Sequence, residues 1–534
     1  MTTSVSRTDA RDVIGGGRAV LGIELGSTRI KAVLTDPDGR TLASGSHSWE
    51  NQFVDRIWTY TENDIWLGLQ ASFSSMCADA EQRLGVRPTA LGALGVSGMM
   101  HGYLAFDASG ELLVPFRTWR NTNTEKAAAE LTELFSFNIP LRWSIAHLYQ
   151  AILDDEPHVP QIAAINTLAG YVHHRLTGRA VIGVGDASGM FPIDSSTKDY
   201  DTTRLEQFGS LVEDRHPSLR IEGLLPTVLS AGADAGRLTE GGAALLDPTG
   251  GLAPGIPMCP PEGDAGTGMV ATNAVAPRTG NVSVGTSIFA MVVLEAALPH
   301  VHHEVDMVTT PAGDPVAMVH CNNGASELDA WAGVFGDLAA ALGHRRERDE
   351  VFGALLNAAL SGEADAGGLL AYNYLSGEPI TGLSEGRPLV LRTPDSRLTL
   401  GNFVRAQVYG AFATLSLGMQ VLAEEGVGLD VMVAHGGLFR TEAVAQRLLA
   451  AALDTPIAVA ASASEGGAWG VAVLASYLAH AHDTDLADYL RDRIFVDVAT
   501  DVAHPAPGDV AGFEVFLRRF SEALPVERAA VEST

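Results

Sequence analysis

The chain has 534 residues, 46% of them hydrophobic and 19% charged. That length exceeds what one core usually holds, so two or more domains are expected, and no apolar run is long enough to cross a membrane. The 35 Lys and Arg against 64 Asp and Glu give a formal charge of −29. This argues against nucleic acid or an anionic membrane as a main partner, but not against a small phosphate held by backbone amides.

The first seventeen residues, MTTSVSRTDARDVIGGG, are polar and lack the apolar centre of a signal peptide. They read as a flexible tail on a cytoplasmic protein. Residues 21–25, 30–35 and 40–46 read as three strands, the first two joined by a bend at Gly26-Ser27-Thr28. A helix is expected over about 64–84, because Ile65, Leu69, Phe73, Met76, Ala80 and Leu84 recur at spacings of three and four. Cys77 lies beside that face and reads as a small core residue. With Cys259 and Cys321 it makes three widely spaced cysteines, which suit neither a disulfide framework nor a zinc site. A strand over 90–98 and a hairpin around 106–112 continue a strand–helix alternation of α/β type.

The second half repeats the opening. NVSVGTS at 281–287 again has alternating apolar residues, a glycine and two hydroxyls, followed by the apolar strand IFAMVVL. A further strand, LDVMVAHGGL, ends at Gly436-Gly437 and leads into a helix expected over 441–453. Two related α/β domains facing each other across a cleft are expected, with the boundary near 272–277. The end of the chain, from about 501, is rich in Ala, Pro and Asp and reads as peripheral.

A Gly-Ser-Thr bend lets backbone N–H groups approach an anion with no side chain in the way, and Lys31 can add a donor. Glu24 stands alone in an apolar strand and could hold Mg²⁺, which favours carboxylates, water and phosphate oxygens. One such bend is common at turns. A second at Gly285-Thr286-Ser287 suggests a pair able to clamp a polyphosphate. Asp264 lies among the glycines of PPEGDAGTGMVAT, where a substrate can reach it; the bland alternative is a turn aspartate that caps a helix. Phosphoryl transfer to an alcohol needs a carboxylate to accept its proton, and Asp264 is the best candidate. Glu262 is a second acid or a solvated one. Gly436-Gly437 and the glycines of SEGGAWGVAVLAS suggest a flat slot for an adenine ring, or close helix packing.

Five ordered motifs, GIELGSTRIK, SGMMHGYLAFD, EGDAGTGMVAT, NVSVGTS and AHGG…SEGGAWGVA, resemble the FGGY carbohydrate kinases of the actin-like, ribonuclease H-like ATPase group. The resemblance spans about residues 18 to 490. It implies a tail at 1–17, an N-terminal kinase domain at 18–274 with the sugar site, a C-terminal kinase domain at 275–490 with the nucleotide site, and a peripheral segment at 491–534. It implies ATP and Mg²⁺, with Gly26, Ser27, Thr28 and Lys31 at the first phosphate loop and Gly285, Thr286 and Ser287 at the second. It makes Asp264 the catalytic base and, with Glu24, a metal ligand, and it sets Gly436 and Gly437 at the adenosine site. The MMHG run is most like the xylulokinase branch, which assigns Met100 and His101 to the sugar pocket and Trp119 as its apolar wall. Arg120 and Asn121 stand where the family has Asn and Asp, so the resemblance makes Asn121, an amide able to donate and accept, a sugar-binding residue along with Asp264. Glu24 stands where the family has Asp, and the sugar's identity is open: a ketopentose, xylulose or ribulose, is the expectation. GVGDASGMFPID also matches a family segment near the sugar, with Asp186 and Ser188 as lesser candidates. A homodimer is left open.

The tract PHVHHEVD has three histidines without helix spacing, and metal binding there is discounted. A second reading is a nucleotide-switched binding protein like actin, which needs no sugar pocket. A dinucleotide enzyme is set aside because no G-x-G-x-x-G follows the first strand.

Overall fold

The computed structural model describes residues 6–217, 219–441, 443–460, 466–496, 498 and 500–534. It divides into two compact units: Met1–Ala276 with Met307–Val316 and Ser462–Val498, and Pro277–Asp306 with Ala317–Ala461 and Ala499–Thr534. The main division after Ala276 falls within the expected boundary region.

The first unit is built on a sheet of β1 (Val20–Leu25), β2 (Arg29–Thr35), β3 (Thr41–Ser48), β4 (Ala93–Gly98) and β5 (Glu262–Gly263), in the order β5-β4-β1-β2-β3. β1 pairs antiparallel with β2, Glu24 opposite Lys31, and parallel with β4, Glu24 opposite Ser97. The helix Glu62–Leu84 starts at a Thr61–Asp64 capping box and ends at Gly85 in the left-handed conformation. All six apolar residues expected on its inner face are buried. The expected hairpin around 106–112 is only an isolated bridge between Phe106 and Leu112; Leu104–Phe106 pairs instead with Ala164–Asn166, far along the chain.

The second unit repeats the plan. The strands of its sheet are β6 (Thr279–Val284), β7 (Ile288–Val293), β8 (Val305–Thr309), β9 (Pro315–Cys321), β10 (Val431–His435), β11 (Ile457–Ala460) and β12 (Thr500–Ala503), in the order β8-β9-β7-β6-β10-β11-β12, although the stretch Met307–Val316, with most of β8 and the start of β9, counts with the first unit. The five inner strands, β9-β7-β6-β10-β11, follow the order β3-β2-β1-β4-β5 of the first unit. β6 pairs antiparallel with β7 and parallel with β10, as β1 does with β2 and β4. The sequence repeat is thus a repeat of whole sheets.

Three expectations about segments are corrected. Residues Arg7–Gly15 of the supposed tail form a helix, capped by Ser6, because Ala10 and Ile14 fall four apart and both bury. The glycine-rich helix Gly466–Tyr477, expected in the C-terminal domain, belongs to the first unit. A Cβ added at Gly22 would stand 2.0 Å from Ala468 O, and one at Gly95 2.8 Å from Val471 O, so this helix lies directly on the backbone of β1 and β4. Its glycine run is explained by packing; Ser464 and Glu465, at the head of the motif, lie outside the described residues. The end of the chain is integral to the second unit, not peripheral. β12 pairs antiparallel with β11, and the helix Pro507–Ser533 buries Phe513, Phe516 and Phe520. Asp509 on that helix takes Arg447 Nε at 2.6 Å and Arg405 Nη2 at 3.4 Å. No described helix is long and apolar enough to cross a membrane.

Candidate active site

The bend after β1 is held from its carbonyl side. Gly26 N donates to Arg29 O at 3.1 Å, Trp49 Nε1 donates to Gly26 O at 2.7 Å, and Trp49 N donates to Thr28 O at 3.2 Å. Tyr60 OH donates to Ser27 O, and the Trp49 and Tyr60 rings stack at 4.0 Å. With three successive carbonyls fixed this way, the bend offers an anion its amides and hydroxyls. Trp49 and Tyr60 lie outside the motif and gave no sign in the sequence of this role.

Glu24, one residue before the end of β1, is largely buried. Its Oε2 is 4.0 Å from Lys31 Nζ, and the N–H groups of Gly467 and Ala468 donate to its carboxylate. Burial pushes its pKa up to about 7, and the negative charge of Asp264 adds to the rise; Lys31 and the two amides oppose it. A Cβ at Gly467 would stand 2.7 Å from both Glu24 Oε1 and Thr267 Oγ1, so the helix Gly466–Tyr477 reaches the carboxylate only through a glycine.

Asp264 opens the helix Asp264–Ala271 directly after β5. It is not the cap of that helix; Gly263 is the N-cap residue. Its Oδ1 accepts from Met100 N at 3.1 Å and Ala265 N at 3.0 Å. Burial raises its pKa, while those amides favour the ionised form. The sequence-predicted Met100 is therefore bonded to the sequence-predicted base. His101 follows with φ +70°, its ring 6.4 Å from that of Trp143 and stacked on it.

Two more acids surround Asp264. Glu262 is 2% exposed, so it is neither solvated nor peripheral. Gly185 N donates to its Oε1 at 3.1 Å and Gly263 N to its Oε2 at 3.2 Å. A Cβ at Gly183 or Gly185 would come within 2.3 or 2.5 Å of that carboxylate, so those glycines make its berth. Burial and the nearby Asp186 push Glu262 up to about 8. Asp186 is fully buried, takes Thr167 Oγ1 on Oδ2 at 2.6 Å, and is pushed up to about 7, mainly by burial and then by Asp264.

Trp119 and Asn121, also expected at the sugar, have the following surroundings. Trp119 is half-buried and packs on the core of the first unit, with Arg120 over its ring at 5.8 Å. Asn121 is 5% exposed and its amide is fully engaged. Trp58 N donates to its Oδ1 at 2.9 Å, and its Nδ2 donates to Trp58 O at 2.8 Å and Thr118 O at 3.0 Å. It clamps a neighbouring segment and has no amide hydrogen or carbonyl turned to a substrate.

In the second unit, Gly285 N donates to Ser287 O at 3.0 Å, Gly324 N to Thr286 O at 2.7 Å, and Ala325 N to Gly285 O at 2.8 Å. Asn373 and Glu378 support this loop at one remove. Glu378 is buried and pushed up to about 7 by burial; Asn323 Nδ2 donates to it at 3.1 Å. Asn373 Nδ2 donates to Gly324 O at 2.7 Å. A cavity of about 470 Å³ opens here, lined by Gly285, Thr286, Ser326, Asp329, Arg348, Phe352, Gly437, Leu438 and Thr441. Ser287 is not in its wall. Gly436 stands behind it at φ +113°, where a Cβ would meet Val284 O at 2.2 Å. Arg348 and Phe352 come from the helix Arg348–Ala359, which the sequence reading passed over; its signals were a Glu347–Glu350 capping box and the apolar spacing of Phe352, Leu355, Leu356 and Ala359. The histidine tract holds no metal cluster among the described residues; His300 and His302 both bond Glu425 Oε1.

Residues 19–271 match the model of the FGGY family of carbohydrate kinases, N-terminal domain, and residues 280–479 that of its C-terminal domain. The chain belongs to this family, whose structures have two actin-like, ribonuclease H-like domains. It is 26% identical over 282 residues to the xylulose kinase of Escherichia coli K12, an alignment covering 50% of this chain and 52% of that protein. It is 24% identical over 205 residues to the glycerol kinase of Thermococcus onnurineus, covering 36% and 41%. The chain thus spans about half the length, or less, of these curated relatives. Its fold is similar to the crystal structure of xylulose kinase from Rhodospirillum rubrum, with TM-score 0.78 and 19% identity over 95% of this chain and 99% of that one.

Proposed function

We propose that the protein transfers the γ-phosphoryl group of ATP to a hydroxyl of a small sugar, a ketopentose such as D-xylulose first among them, with L-ribulose or another ketose or polyol as the alternative. The observation that carries this reading is the bond from Met100 N to Asp264 Oδ1, which ties the carboxylate to the Met100-His101 pair. The xylulose-kinase relatives support the ketopentose, and the cavity against Gly285, Thr286 and Gly437 has the walls for a nucleotide.

Asp264 accepts the proton of the sugar hydroxyl as its oxygen bonds to the γ-phosphorus and the bond to the ADP oxygen breaks. Its hydrogen bonds from Met100 and Ala265 hold the carboxylate in one orientation. Met100 and His101 exclude water around the sugar. Ser27, Thr28 and Lys31 hold phosphate oxygens in the first unit, and Thr286 in the second; Gly26 and Gly285, whose N–H groups go to Arg29 O and Ser287 O, leave the approach clear of a side chain. Glu24 and Asp264 each raise the demand for a cation in the other's field, so this donor set fits Mg²⁺, and Lys31 at 4.0 Å completes the charge balance. When bound there, the ion supplies positive charge to the phosphate oxygens.

A coupled ADP-release assay over ketoses, aldoses and polyols tests the proposal. ADP release that depends on one ketopentose and on Mg²⁺ is expected. Equal turnover with every sugar and with none would reject it in favour of a nucleotide-switched protein.

A further inference from the structure

A sugar carries a hydroxyl on nearly every carbon, and each one that leaves water needs a partner. Asn121, the residue the sequence offered, supplies none, since its amide is held by Trp58 and Thr118. Asp186 is in the opposite condition. It is fully buried, its Oδ2 accepts from Thr167 Oγ1 at 2.6 Å, and its Oδ1 has no hydrogen-bond partner. A buried carboxylate oxygen without a donor is costly, and in a native fold it calls for a partner such as a ligand, an ion or a water.

Its surroundings are those of the sugar pocket. A Cβ added at Gly263 would stand 3.3 Å from Asp186 Oδ1 and 3.0 Å from Met100 Cγ. One added at Gly189 would stand 2.6 Å from His101 Nδ1 and 2.8 Å from Met100 Cε. The absence of a side chain at Gly263 and Gly189 thus lets the backbone pack closely on Asp186 and the Met100-His101 pair, which brings the three together beside Asp264. Holding the turn at 183–188 does not require Oδ1. Glu262 takes the N–H of Gly185, and Ser188 Oγ donates to Gly185 O at 2.6 Å.

We propose that Asp186 Oδ1 accepts a hydrogen bond from a sugar hydroxyl other than the one phosphorylated, and so selects the substrate by the position and stereochemistry of that hydroxyl. The inference rests on the sugar-kinase reading for its ligand class alone. No proton or electron is transferred in the contact.

Calorimetric binding of ketopentoses, polyols and their monodeoxy analogues tests it, with and without a non-hydrolysable ATP analogue. Asp186→Ala should weaken binding of the preferred sugar roughly ten- to a hundredfold, the range for a hydrogen bond to a charged group. In the wild type one deoxy analogue should lose a similar factor; in Asp186→Ala that one penalty should vanish while penalties at other carbons remain. Should Asp186→Ala fail to fold, Asp186→Asn keeps an oxygen for Thr167 and should show the same selective loss in part. Unchanged penalties at every carbon would overturn the proposal, as would a wild-type protein that binds no member of the panel. ADP release measured alongside separates the two claims: sugar binding that depends on Asp186 without any phosphoryl transfer would reject the kinase reading and uphold this contact.

Discussion

The two units lay five strands in the same order and put a glycine-hydroxyl bend after the same strand, yet they furnish it differently. In the first unit the residue two before the glycine is Glu24, and the same unit holds buried Glu262 and Asp186 with Asp264 half-buried beside them. In the second unit the equivalent residue is Ser283, and the bend faces a cavity whose wall also holds Asp329 and Asp349, with Arg348 paired to Asp329. The fold supplies amides to both. Side chains gather buried acids in the first unit, whereas the second has Arg348 in its cavity wall to offset Asp329 and favour a bulky anion.

Asp264→Asn should break the comparison most severely. A positioned general base is worth about 10² to 10⁴ in rate, so sugar-dependent ADP release should fall by that factor while ATP affinity, measured by calorimetry, stays within about twofold. A parallel loss of ATP affinity would show that the acids of the first unit are needed for nucleotide binding.

Gly436→Ala tests the other side. The substitution must adopt φ near +113° and displace Val284 O from 2.2 Å, so a loss of about 3 kcal/mol in the stability of the second unit is expected. ATP affinity should drop at least about tenfold and sugar affinity should hold. Hydrogen exchange resolved along the chain would locate the damage; protection lost equally in both units would contradict the division of labour.

Acid should find the first unit through His147, both of whose ring nitrogens are buried without partners, and His173. Burial lowers them to about 3 and about 4, from 6.5. A folded pKa below the unfolded one gives stability that is complete above 6.5 and lost as pH falls toward the folded value. At about pH 5 the loss is roughly 2 kcal/mol for each ring. His147→Phe removes one such group and should move the acid midpoint downward; a midpoint that stays put or rises would show that the ring does not control acid unfolding.

The smallest effect sharpens the role of Glu24. Glu24→Gln should raise the Mg²⁺ concentration for half-maximal turnover severalfold at saturating sugar, with Glu24→Asp milder. An unchanged midpoint and rate would make Glu24 a structural acid.

What the sequence disclosed was local. The two bends were visible because a glycine beside hydroxyls within seven residues is enough to make one, and Asp264 because its glycines adjoin it. The face of Glu62–Leu84 followed from spacing alone. The role of Asn121 was hidden because it depends on Trp58, 63 residues earlier in the chain. Glu262 looked like a surface acid because its berth is made by Gly183 and Gly185, some 77 residues away in the case of Gly185. The helix Gly466–Tyr477 read as part of a ligand slot because glycines serve ligand approach and helix approach alike. The distinction lay in which strand it touched, and periodicity does not record that.

That helix has a consequence for how the chain is made. Gly22 and Gly95 leave its backbone almost touching β1 and β4, so the oldest strands on the ribosome wait for some of the youngest residues. Until residue 477 emerges, one face of the first sheet has no native cover, and nearly the whole second unit is synthesised in the interval. Such long-range closure is slow and exposes apolar surface meanwhile. A ribosome stalled short of residue 466 would therefore carry a nascent first unit that holds its strands but not its cover, a natural client for chaperones.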